Sequence, residues 1–224
     1  LQKGKTVGEY QLDKITGAAI KIATEPDTSE VTDESNTTGG DADNTATTVD
    51  KRHIFVGDSR TVGLSNAMGC VSYDKLLQIR TEENLTEYYL AEVGSGYSWY
   101  STKALPKLVK MLNENPAATV ILNHGINDLG NIDQYIASYQ WLIRVYPNTK
   151  FVIMSVNPVN RKLYKGYAKP ANITVFNQKM QAAFPNNFVN TYQYLQSMGF
   201  NTADGLHYDS LTYMNLYNYM QPYL

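Results

Sequence analysis

From residue 51 onward, apolar runs of strand length alternate with stretches of helical spacing. The runs at His53–Val56, Tyr88–Val93, Thr119–Asn123, Phe151–Val156 and Phe188–Thr191 read as strands. Helices are predicted over Ser59–Met68, Leu105–Glu114, Ile132–Val145, Ile173–Phe184 and Thr212–Gln221. In the third of these, Ile132, Tyr135, Ile136, Tyr139, Leu142 and Ile143 fall on one face, and Pro147 follows its end. Pro106 stands in the first turn of the second, where a missing N–H costs little. Strands that alternate with helices predict an α/β fold, a mostly parallel five-stranded sheet covered on both faces. In such sheets ligands bind at the carboxyl ends of the strands.

Composition changes the picture before residue 51. Residues 24–50 hold eight acidic residues, no Lys or Arg and almost no large apolar side chain. Such a segment cannot bury enough surface to offset its ordering entropy, so it is expected to be a linker. Three parts follow: an N-terminal segment 1–23, the acidic linker 24–50, and a folded body 51–224. Within the first, Glu9–Ile22 is expected to form a short hairpin turning near Thr16-Gly17, either a remnant of an upstream domain or a strand pair added to the body.

Removing residues 1–50 leaves 15 basic and 11 acidic residues, so the body carries about +4, while the whole chain carries −2. The whole-chain charge of −2 argues against a general nucleic-acid binder. No apolar run is long enough to insert in a membrane. Cys70 is alone, which excludes an internal disulfide and a cysteine-based metal site. The chain begins at Leu1 and is read as trimmed, so its start gives no compartment.

Four blocks carry candidate chemistry. The first strand runs into Gly57-Asp58-Ser59, which puts Ser59 at the strand's carboxyl end and at a helix N-terminus. Free N–H groups and the positive dipole end suit a nucleophile whose own N–H can hold an oxyanion. Capping explains Asp and Ser there equally well. The second block, Val93-Gly94-Ser95-Gly96, lets backbone approach a ligand closely, as an ordinary loop also would. The third, Gly125-Ile126-Asn127-Asp128, could turn the Asn127 amide toward a substrate oxygen or form an Asx turn. In the fourth, Asp204 and His207 are spaced so that the carboxylate can take the Nδ1–H and leave Nε2 as a base, or so that the loop is simply capped.

In this order the blocks resemble the SGNH (GDSL-type) hydrolases, over residues 53 to about 221. The resemblance implies a three-layer α/β/α flavodoxin-like sandwich and serine-based acyl-ester chemistry without a metal or other cofactor. Carried over by position, it implies Ser59 as nucleophile, His207 as general base and Asp204 as its orienting acid. It implies oxyanion donors at Ser59, Gly96 and Asn127, with Gly94 as the alternative to Gly96. Asp58 and Asp128 are expected to brace loops rather than react. The G-x-S-x-G elbow of the α/β-hydrolases is absent.

Further residues are candidates for lining the substrate. Arg60 follows the serine and could meet an anionic group or pair with a local acid. Trp99, with Tyr97 and Tyr100, could wall a sugar ring or fill the core. His124 could reach the crevice, while His53 is expected to be structural. The expected substrate is an acylated small molecule or glycan. The leading expectation is removal of acetyl groups from a polysaccharide by an extracellular or cell-surface bacterial enzyme tethered through the linker. An O-acetyltransferase using the same serine, and a non-catalytic surface module that keeps the fold, are the alternatives. Oligomeric state is not read from the sequence.

Overall fold

The computed structural model describes residues 51–224 and the backbone of two short strands, β1 (Tyr10–Leu12) and β2 (Ala19–Lys21), which pair antiparallel with Gln11 opposite Ile20. The predicted linker and the hairpin's turn lie outside the described residues.

The body is a seven-stranded sheet between two helical layers. Its parallel centre comprises β3 (Lys51–Gly57), β6 (Leu85–Ala91), β7 (Thr119–Asn123), β8 (Lys150–Met154) and β9 (Phe188–Val189). These are the five strands read from the apolar runs. The expected five-stranded sheet is corrected at one edge, where an antiparallel hairpin, β4 (Val71–Asp74) and β5 (Leu77–Glu82), pairs onto β6. The full order is β4-β5-β6-β3-β7-β8-β9. The order of the parallel strands reverses at β3, which makes the carboxyl end of β3 the switch point where such sheets open a crevice.

Period-two alternation divides the core. Ile54, Val56, Val120, Leu122, Phe151 and Ile153 point to one layer. That layer is α3 (Leu105–Glu114), α4 (Ile132–Val145) and α5 (Pro170–Ala183). Phe55, Tyr89, Ile121, Val152 and Met154 point to the other. There they meet α1 (Ser59–Ala67), α6 (Thr191–Met198) and α7 (Ser210–Met220). Phe55 and Tyr89 stack across the β3–β6 pair with centroids 4.6 Å apart.

Two α-helical segments fall outside the predicted helices. Helix α6 begins where Asn190 caps it by accepting from the Gln193 N–H at 3.0 Å. The other is a turn, α2 (Tyr97–Trp99), that joins α3 through a π-helical stretch at Tyr100–Ala104. Pro106 has no N–H to give the ladder, and just before it the Leu105 N–H bonds the Tyr100 carbonyl in a wider turn.

Candidate active site

Ser59, His207 and Asp204 form one hydrogen-bonded line at the carboxyl end of β3. Ser59 Oγ lies 2.8 Å from His207 Nε2, and His207 Nδ1 lies 2.6 Å from Asp204 Oδ2. Asp204 Oδ1 accepts the Leu206 and His207 N–H groups, each at 2.8 Å, so the loop closes on its own carboxylate before the ring is held. Burial raises the Asp204 carboxyl, but the His207 ring and these N–H donors outweigh it and hold the group well below the usual carboxylate range. An ionised Asp204 fixes the Nδ1–H tautomer and leaves Nε2 to accept from the serine. The His207 and Asp204 side chains remain 40% and 52% exposed, so the base side of the line faces solvent.

Three donors face the same end of the sheet. The Ser59 and Gly96 N–H groups carry no partner among the described residues. Asn127 Nδ2 donates to the Ser95 carbonyl at 2.8 Å, which ties the glycine loop to the loop after β7 and leaves the second amide proton to a ligand. Asp128 braces both loops. It accepts from the Tyr97 N–H, from Asn131 Nδ2 at 2.9 Å and from the Tyr135 hydroxyl at 2.9 Å. A Cβ on Gly96 would stand 2.5 Å from that carboxylate, so only glycine lets the two loops approach this closely. Gly94, at φ +75°, has open space beside it and makes no such approach.

Asp58 caps α1 by accepting from the Arg60 N–H at 3.0 Å. At 2% exposure its carboxyl is pushed up to about 6 by burial, against the lowering effect of the Arg60 N–H, the guanidinium and His207. The folded protein therefore binds this proton more tightly than the unfolded chain. Asp58 contributes stability below about pH 4 that is lost as pH rises through 6, amounting to about 3 kcal/mol. Asp58→Asn keeps an acceptor for the cap. It should unfold about 2 kcal/mol harder than the parent at pH 7.5 and equally at pH 4, measured by urea titration.

Arg60 is corrected from both of its expected roles. It is buried rather than open to a substrate, and it forms no ion pair with an acid among the described residues. At 3% exposure its guanidinium donates to three backbone carbonyls: Leu206 at 3.1 Å, Asn157 at 2.7 Å and Pro158 at 2.9 Å. It also lies 5.1 Å from the Tyr208 ring centroid. Arg60 thus fastens the His207 loop to the segment after β8, a role invisible to local pattern because its partners lie 97 to 146 positions away. Arg60→Met should cost about 3 kcal/mol in urea unfolding by stranding those carbonyls. Arg60→Lys should recover only part, since one ammonium cannot reach all three.

The aromatic candidates belong to the core. His124 is 3% exposed, packs against Trp99, Tyr100 and Tyr135, and is lowered to about 3 by burial, so it stands neutral behind the site rather than in it. Tyr97 and Tyr100 are buried beside it, and half-buried Trp99 packs on the same cluster. His53 packs at the far end of its strand, with Nδ1 3.4 Å from the buried Glu87 carboxylate.

Two elements of the site gave no signal in sequence. Asn177 on α5 clamps Val156, accepting its N–H at 2.8 Å and donating to its carbonyl at 2.9 Å, as a neighbouring strand would. The loop 159–169 then turns over the crevice, where the Tyr167 hydroxyl donates to the Asn127 carbonyl.

No family model and no curated protein matches the chain. Solved structures do. A Streptococcus pneumonia protein provisionally assigned as a platelet activating factor aligns with a TM-score of 0.58 and 22% identity, covering 80% of this chain and 86% of that one. A member of the lipolytic G-D-S-L family from Veillonella parvula aligns at 0.52 and 13% identity, covering 77% and 97%. Axe2, an acetylxylan esterase from Geobacillus stearothermophilus, aligns at 0.50 and 14% identity, covering 76% and 93%. The chain therefore takes the three-layer fold of the SGNH, or GDSL-type, hydrolases.

Proposed function

We propose that the protein is a serine esterase that removes short acyl groups, acetyl first among them, from a glycan. The observation that carries this is the Ser59–His207–Asp204 line, at 2.8 and 2.6 Å, beside Ser59 and Gly96 N–H groups that have no partner among the described residues and the second Asn127 amide proton, all on loops after the neighbouring strands β3, β6 and β7. His207 Nε2 takes the Ser59 proton as Oγ attacks the ester carbonyl. The developing oxyanion accepts from the three donors, and the imidazolium returns the proton to the leaving alkoxide. Water, activated by the same Nε2, then cleaves the acyl-enzyme.

The likeness to an acetylxylan esterase supports a small acyl group on a sugar, and the exposed base side of the site leaves room for a polymer. The same opening would admit an acceptor hydroxyl in place of water, which favours the O-acetyltransferase as the second reading. The acidic residues 24–50 would tether the enzyme at a bacterial surface.

Hydrolysis of p-nitrophenyl acetate, with a longer acyl ester and a chitooligosaccharide acceptor in parallel, tests the proposal. Ser59-dependent release that favours acetate supports the esterase, and an acetylated acceptor shifts it to the transferase. No Ser59-dependent release from any ester overturns both in favour of a non-catalytic module.

A further inference from the structure

Between Asp133 and Asp204 the chain contains no acidic residue and seven basic ones. Four of the seven, Arg161, Lys162, Lys165 and Lys169, fall in the loop that overhangs the candidate active site, and all four are exposed. None has a carboxylate partner among the described residues. Arg161 is spent on the loop itself, donating to the Gly166 carbonyl at 2.9 Å with its guanidinium 5.7 Å from the Tyr164 ring centroid. Lys165 likewise donates to the Lys162 carbonyl at 2.9 Å. The Lys162 and Lys169 ammonium groups have no hydrogen-bond partner among the described residues.

The loop is fastened to both sides of Ser59. On the base side the Asn160 N–H donates to the Gly205 carbonyl at 2.8 Å, two residues before His207. Gly205 holds φ +84°, and a Cβ there would stand 2.3 Å from the Tyr164 nitrogen, so loop and histidine turn are packed backbone to backbone. On the oxyanion side the Tyr167 hydroxyl donates to the Asn127 carbonyl. At the root, Arg60 holds Asn157 and Pro158. A positive surface carried on exposed lysines, fastened through the Gly205 and Asn127 carbonyls to the two loops that carry the base and the amide donor, raises the local concentration of anions near the ester. The exposed ring of Tyr167 belongs to the same loop, where a sugar face can stack.

Resting on the esterase reading, we infer that the loop 160–169 selects an anionic glycan, an acylated polysaccharide bearing carboxylate or phosphate groups that Lys162 and Lys169 engage. Binding is tested apart from catalysis, by calorimetry on the full chain carrying Ser59→Ala. The probes are an oligogalacturonate, a glycerol-phosphate oligomer and a neutral xylooligosaccharide, and they separate the two sources of charge. At least one anionic probe should bind about tenfold tighter than the neutral one at 20 mM salt, with most of the advantage gone at 200 mM. Adding Lys162→Gln and Lys169→Gln together should remove the advantage while leaving the neutral probe's affinity as it was. Equal affinity for all three probes, or an advantage that survives loss of both lysines, overturns the inference. Ester hydrolysis by the wild type decides the esterase reading separately. An anion preference without Ser59-dependent release would sink that reading alone, and release without preference would sink this one alone.

Discussion

Ser59→Ala should lower kcat for p-nitrophenyl acetate by roughly 10⁴- to 10⁶-fold, and His207→Ala by a similar factor. The double variant should be no worse than either single one. Oγ is nucleophilic only while Nε2, 2.8 Å away, can take its proton, and Nε2 has no other task in the first step. Removing either therefore removes the same step, and what survives is the contribution of the oxyanion donors and of binding. Asp204→Asn should cost less than either, because that side chain is half exposed and water can replace part of what it does for the imidazolium. Losses that multiplied in the double variant would show that Ser59 and His207 act independently, contrary to the hydrogen-bonded line. An unchanged rate in Ser59→Ala would mean that release occurs elsewhere on the protein.

Asn127→Ala should lower kcat by roughly 10²- to 10³-fold with little change in KM, the cost of losing one oxyanion donor worth about 2.7–4 kcal/mol. The expectation rests on how the amide is divided. One Nδ2 proton is committed to the Ser95 carbonyl at 2.8 Å, and that bond holds the amide in place with the other proton left for a ligand. Truncation removes the donor and also unties the glycine loop, so thermal unfolding should show a loss of about 1 kcal/mol beside the kinetic one. Asn127→Asp separates the two effects. A carboxylate cannot donate to Ser95 and would repel the developing oxyanion, so its rate should fall below that of the alanine variant. A fall confined to KM in Asn127→Ala would place the amide on the ground-state substrate rather than on the transition state.

These expectations begin in short local patterns, and the structure shows how far such patterns reach. The five parallel strands and five of the helices follow from apolar runs and spacing because each buries a face whose period its own residues set. The edge hairpin did not stand out. In β4 all four residues are exposed, so no buried face marks it. Its partner did carry a sign. Leu77 and Ile79 alternate with Gln78 and Arg80, and Asn84, at φ +62°, turns the chain into β6.

Residue identity and position along the chain were enough to name the groups able to do the chemistry. A serine after a strand, a glycine loop, an asparagine and a histidine three residues after an aspartate each stand at the end of an element that their neighbours specify. Identity and position could not determine which way a side chain faces once both outcomes are locally permitted. Arg60 had the charge to meet substrate, yet three carbonyls brought from 97 to 146 positions away absorb it. His124 had the chemistry of a base, yet the chain turns it into an aromatic cluster where burial keeps it neutral. The basic residues 161–169 carry no local pattern that ties them to the site, and only the bonds to the Gly205 and Asn127 carbonyls bring their loop to it. Local identity sets what a residue can offer. What it meets is settled on folding, because desolvation and hydrogen-bond competition depend on groups brought from elsewhere in the chain.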